Sequence, residues 1–203
     1  MNSNQKHSSI LKLTCLSILT AIIAILQLTG TAIKFVALGT SVSLVLIPIV
    51  LGAVMLGKKS GAFLGFVFGM IVYLMGAFGM DPFTNILFLA HPVLTFLICI
   101  VKGVAAGYVS GLVYEKFKDT KKYLGIFLAA AVAPILNTGL FIIGGLTMQQ
   151  TLSTVANGHS VIYFLVIVCA GLNFVFEFIL NMVAAPAIYR ILTIFGNKLN
   201  FDR

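Results

Sequence analysis

Long apolar stretches separated by short polar breaks run along the whole chain. At about 20 residues per helical crossing of a bilayer, the stretches 9–29, 42–56, 61–78, 92–114, 123–146 and 161–195 are expected to be six transmembrane helices. The breaks are turn-forming or charged: Gly57-Lys58-Lys59-Ser60, Gly79-Met80-Asp81-Pro82, the run from Glu115 to Lys122, and the polar segment 147–160. The segment 83–90 is apolar but sits between Asp81-Pro82 and His91-Pro92, so a re-entrant or capping loop is expected there. The last stretch exceeds what a bilayer needs and is expected to tilt or protrude. The predicted architecture is an all-α integral membrane protein, a single membrane domain over residues 1–203.

Composition narrows the functions available. Of 203 residues, 60% are hydrophobic and 9% charged, with a mean hydropathy of +1.12. Soluble domains carry about 25% charged residues. Six crossings use most of the chain and leave no room for a separate catalytic, nucleotide-binding or receptor domain. The first apolar run follows a basic, polar start but lacks a small-residue cleavage site, so it is expected to be a crossing rather than a signal peptide.

The net charge of +8 has a membrane explanation. With six crossings both termini share a side, and eleven of the thirteen Lys and Arg residues fall there; Lys34 falls opposite and Lys102 within a crossing. Because cytoplasmic loops collect Lys and Arg, both termini are expected to be cytoplasmic, in a multi-pass protein of the cell membrane. No nucleic-acid partner is implied.

Small residues recur at helical spacing. Gly61, Gly65 and Gly69 in the third stretch, and Gly103, Gly107 and Gly111 in the fourth, each flatten one helix face. Flat faces let backbones approach where lipid removes the hydrophobic drive for packing. Ser17, Ala21 and Ala24 make a shorter small-residue face on the first helix, a candidate contact surface for a partner.

Polar residues inside the crossings are few, and each is costly. A Lys at the middle of a membrane helix costs roughly 2.5–3.5 kcal/mol on insertion scales. Lys102, Asn137 and Glu177 lie 14, 15 and 13 residues from Lys116, Lys122 and Arg190, roughly 20 Å at a rise of about 1.5 Å per residue. Three helices thus carry a polar residue at one depth. Asn173, Glu177 and Asn181 are spaced by four and form a stripe on the last helix. Two uses are open: a buried Lys102–Glu177 ion pair with amides as interhelical glue, or a pocket that holds a polar solute. Tyr73 and Asn85 lie near enough to line such a pocket.

Other chemistry has no support. His91 and His159 lie at stretch ends with no third ligand at metal-binding spacing, and Cys15, Cys99 and Cys169 have no metal-like spacing. There is no phosphate-binding glycine loop, zinc-protease motif or serine elbow. No catalytic residue, cofactor or metal is expected, and the chain is not expected to be an enzyme.

The stretch from Leu46 to Gly57, LIPIVLGAVMLG, followed by Gly61-Ala62-Phe63-Leu64-Gly65, resembles the second and third helices of the substrate-binding S components of energy-coupling factor (ECF) vitamin transporters. Lys102-Gly103-Val104-Ala105-Ala106-Gly107, Asn137-Thr138 and Asn173-x-x-x-Glu177 continuing to Asn181 and Pro186 extend the likeness over residues 12–195. The resemblance implies a subunit that captures a vitamin from outside and works with a transmembrane coupling subunit and two ABC-type ATPases. The pantothenate-specific members are the most similar, with Lys102 and Asn137 meeting the solute. Specificity for folate, riboflavin or a pyridoxine-like compound stays open, as does a non-transporting membrane scaffold.

Overall fold

In hydrocarbon every backbone N–H and C=O must find a partner within its own segment, which favours helices. The structure, a computed structural model, describes residues 3–32, 44–156 and 158–199, with side-chain surroundings for 9–30, 44–156 and 158–194. Among the described residues every regular element is helical. In chain order these are α1 (Ser3–Ala32), α2 (Leu46–Leu56), α3 (Lys58–Ala77), α4 (Pro82–Ala90), α5 (Pro92–Phe117), α6 (Lys122–Leu146), α7 (Gln149–Val155), α8 (Val161–Tyr163) and α9 (Leu172–Leu199). A π-helical segment, Phe164–Gly171, joins α8 to α9 without a break.

Five described segments are long and apolar enough to cross a membrane: Ser9–Gly30, Lys58–Ala77, Pro92–Phe117, Lys122–Leu146 and Val161–Ile194. The predicted crossing 42–56 contains α2, whose 11 residues rise only roughly 16 Å at about 1.5 Å per residue. Residues 42 and 43, with Lys34, lie outside the described residues, as do Asn157 and the side chains of Lys6 and Lys198. Eight α2 residues are buried, so α2 is enclosed by protein rather than lipid. The segment expected to be a loop at 83–90 is instead the helix α4. Pro82 at its start supplies a preset φ where an N–H is not needed, and Asn85 Nδ2 donates to Gly76 O at 2.7 Å, tying α4 to the end of α3.

The glycine faces meet each other. A Cβ on Gly65 would land on the Gly103 carbonyl, and one on Gly107 on the Gly61 carbonyl. One on Gly69 would strike Cys99 O, and one on Gly111 would lie 2.5 Å from Lys58 Cα. These pairings define an antiparallel α3–α5 contact at backbone distance over three turns. It closes at one end with an ion pair, Lys58 Nζ to Glu115 Oε2 at 2.9 Å. The α2–α3 turn and the α5–α6 turn therefore share that end of the bundle. Gly57 makes the first of these turns with φ 94°, a backbone region that disfavours side chains.

Apolar clusters mark the two ends. Near the ion pair, Val50, Val54, Tyr114, Ile126, Ala129, Ala130, Ala133, Ala185, Ile188 and Leu192 pack together. At the far end Leu87, Ile98, Met148, Leu152 and Leu165 do so, with Phe83, Phe141 and Phe164 against them. Ser110 binds α5 to α6 within the first of these layers, its hydroxyl lying 2.7 Å from Ala106 O and 3.0 Å from Ala129 O.

Candidate solute-binding site

The polar residues fall between these two end clusters, and a further apolar cluster, which includes Leu64, Phe68, Cys99 and Ala106, packs beside Lys102. On α5, Lys102 lies between Ile98 and Tyr114; on α6, Asn137 lies between Ala133 and Phe141. On α9, Asn173, Glu177 and Asn181 lie between Leu165 and Ala185. Each belongs to a helix whose ends are apolar core, so the three helices share one polar level.

Lys102 does not form the ion pair with Glu177 that the sequence left open. Its ammonium sits 5.6 Å from the centroid of the Phe68 ring and 5.4 Å from that of Phe141, both within cation–π range. Among the described residues no carboxylate is within ion-pairing distance of it, and the ion pair present is Lys58–Glu115. Phe141 stands one turn from Asn137 on the same face of α6. The Lys102 charge therefore meets α6 at Phe141, on the helix face that also carries Asn137.

Asn137 is buried at 6% exposure, and its Oδ1 accepts no hydrogen bond. On α9, Asn173 Nδ2 donates to Glu177 Oε1 at 3.3 Å and Asn181 Nδ2 to the Glu177 carbonyl at 2.8 Å. The two donations hold the stripe in place, while Asn173 Oδ1 and Asn181 Oδ1, both buried, accept nothing. Buried acceptors without donors are uncommon and each costs about 1–3 kcal/mol. The level thus offers one cation and several empty acceptors. The π-helical segment ends at Gly171, two residues before Asn173; such segments recur at functional sites, where they shift the register of the helix beyond them.

The other predicted residues have different surroundings. Tyr73 packs edge-on against Phe88 and Phe96, with centroids 5.5 and 5.1 Å away. The Asn85 amide is spent on Gly76 O. Ser17 and Ala21 are exposed and Ala24 half-buried, on a helix that buries only Leu19 and Ile23 among its described side chains. The sequence did not single out Phe68, Phe141, Phe83 and Phe164. Phe83 of α4 packs 5.7 Å from Phe141 and 6.4 Å from Phe164, covering the polar level from the α4 end. A shallow apolar groove lined by Ala90, His91, Pro92, Val93, Leu94 and Leu97 contains none of the polar-level residues.

Residues 11–189 match the model of the family described as ECF transporter, substrate-specific component. The chain belongs to that family. It is a multi-pass membrane protein and a substrate-specific subunit of an ECF importer, a transporter subunit rather than an enzyme. No curated protein and no solved structure matches the chain significantly.

Proposed function

We propose that this S component binds pantothenate and delivers it inward with a transmembrane coupling subunit and two ABC-type ATPases. The observation that carries this reading is the pairing of chemistries around Phe141: its ring meets an ammonium that has no carboxylate at ion-pairing distance among the described residues, and one turn along the helix Asn137 keeps a buried oxygen without a donor. Pantothenate has the complementary groups, a carboxylate for Lys102 and hydroxyl and amide donors for the Asn137 and Asn173 oxygens. Glu177 holds Asn173 in place. Tyr73 and Asn85 contribute through the α4 cover rather than by direct contact. On this reading Ser17, Ala21 and Ala24 form the face that meets the coupling subunit, supported by how little of α1 is buried. Six crossings with both termini cytoplasmic complete the proposal.

The test is saturation binding of labelled pantothenate to the purified chain in lipid nanodiscs, with other vitamins as competitors. Displacement by unlabelled pantothenate alone is the expected result. Displacement by folate, riboflavin or pyridoxine instead would move the substrate within the same class. Failure of every vitamin to bind, with no ATPase pair co-purifying, would leave a membrane scaffold.

A further inference from the structure

Lys102 is a cation inside a membrane helix, yet among the described residues its charge is met by ring faces alone. Among the described residues Glu115 pairs with Lys58, Asp81 accepts from the Thr84 hydroxyl, Glu177 accepts from Asn173, and Asp119 is exposed in the α5–α6 turn. A carboxylate partner would cancel the charge. Ring faces stabilise an ammonium through the aromatic quadrupole while leaving its full charge in the site. We infer that Phe68 and Phe141 are positioning residues for Lys102, and that their rings hold its ammonium un-neutralised so that the site selects anionic over neutral solutes.

The backbone is shaped to place both rings. Phe68 is buried at 3% exposure, and its ring edge would stand 3.3 Å from a Cβ on Gly103, the residue after Lys102. The close α3–α5 approach thus brings Phe68 from α3 against the base of the lysine. Phe141 reaches it from α6, braced behind by Phe83. The ammonium is bracketed from two helices, and its long stem, which would otherwise sample many rotamers, is confined. An anion entering the level meets a charge already oriented by two rings, with no carboxylate at ion-pairing distance from it among the described residues.

This inference rests on the solute-binding reading for its selectivity, and the test separates the two. In a chain labelled with 13C at the lysine ε-carbons, in nanodiscs without solute, Lys102→Met identifies the Lys102 signal. Ring currents are expected to displace that signal upfield from those of the other lysines. Phe141→Leu and Phe68→Leu are each expected to move it back, whereas Phe141→Tyr, which keeps the ring, leaves it displaced. A Lys102 signal coincident with the others in the unsubstituted chain would overturn the bracket outright, whatever the chain binds.

The second arm compares affinity for pantothenate with that for its alcohol analogue, which lacks the carboxylate. The unsubstituted chain is expected to prefer the acid, and Lys102→Met to abolish the preference. Phe141→Leu should reduce the preference about fivefold with Phe141→Tyr restoring it. A loss of both affinities in equal measure, or a preference unchanged by Phe141→Leu, would show the rings to be packing only. If neither compound nor any other vitamin binds the unsubstituted chain, the solute-binding reading fails and the selectivity claim with it; the spectrum still decides the bracket.

Discussion

At the scale of single residues, the polar level was legible because lipid makes it so. A lysine or glutamate inside an apolar helix costs several kcal/mol, so Lys102, Asn137 and the Asn173–Glu177–Asn181 stripe stand out in the sequence alone. The rings around Lys102 did not stand out, since seventeen phenylalanines in apolar helices give no sign of which two approach a charge. Nor was it visible that Asn85 is consumed by Gly76 O, a contact made across a turn. The distinction is testable. Asn137 keeps a buried oxygen desolvated without a donor, so Asn137→Leu is expected to hold or raise the melting temperature while lowering solute affinity about tenfold, by the usual worth of one buried hydrogen bond. Asn85→Ala should do the reverse, costing about 1 kcal/mol of stability with affinity nearly unchanged. Thermal unfolding and binding on the same nanodisc preparations measure both. A large affinity loss in Asn85→Ala with stability intact would return Asn85 to the solute.

Among the helices, periodicity predicted where the chain crosses and which faces are flat, and the structure pairs those faces residue by residue. What spacing does not reveal is the partner: Gly61 with Gly107, Gly65 with Gly103 and Gly69 with Cys99 follow from an antiparallel register that only the folded bundle sets. The helix α4 was missed because nine residues between prolines carry too little pattern to separate helix from loop. The short crossing expected at 42–56 contains α2, whose end at Leu56 the Gly57-Lys58-Lys59 break marks in the sequence. The zipper predicts a sharp contrast between glycines. Gly65→Ala places a methyl on the Gly103 backbone, where nothing flexible is available to yield. It is expected to cost more than about 3 kcal/mol, the upper range for overpacking, read as lost monodispersity on heating in detergent. A methyl on Gly139, in α6, would meet nothing within 4 Å. Gly139→Ala is therefore expected to be neutral or stabilising by up to about 1 kcal/mol. Equal effects at the two positions would mean that α3 and α5 do not touch as described.

For the molecule as a whole, the Lys58–Glu115 ion pair fixes which turns share an end. From that end α6 runs away, residues 147–160 turn, and the last helix returns, so the end of α9 lies with the α2–α3 and α5–α6 turns. For α1, charge supplies the argument. If α1 starts at the ion-pair end, Lys6 and Lys12 join Lys58, Lys59, Lys116, Lys118, Lys121, Lys122 and Arg190 on one side. If α1 starts at the far end, two lysines move to the side that is otherwise poor in charge, against the bias that orients membrane proteins. Six crossings and a cytoplasmic start are therefore expected. In a background without native cysteines, Gln5→Cys and Lys118→Cys should react with an impermeant maleimide only after the cells are opened, while His159→Cys reacts in intact cells. Labelling of Gln5→Cys together with His159→Cys would reduce the count to five crossings. Labelling of Lys118→Cys from outside would invert the molecule and turn the Phe83 cover toward the cytoplasm, where it would face solute release instead of capture.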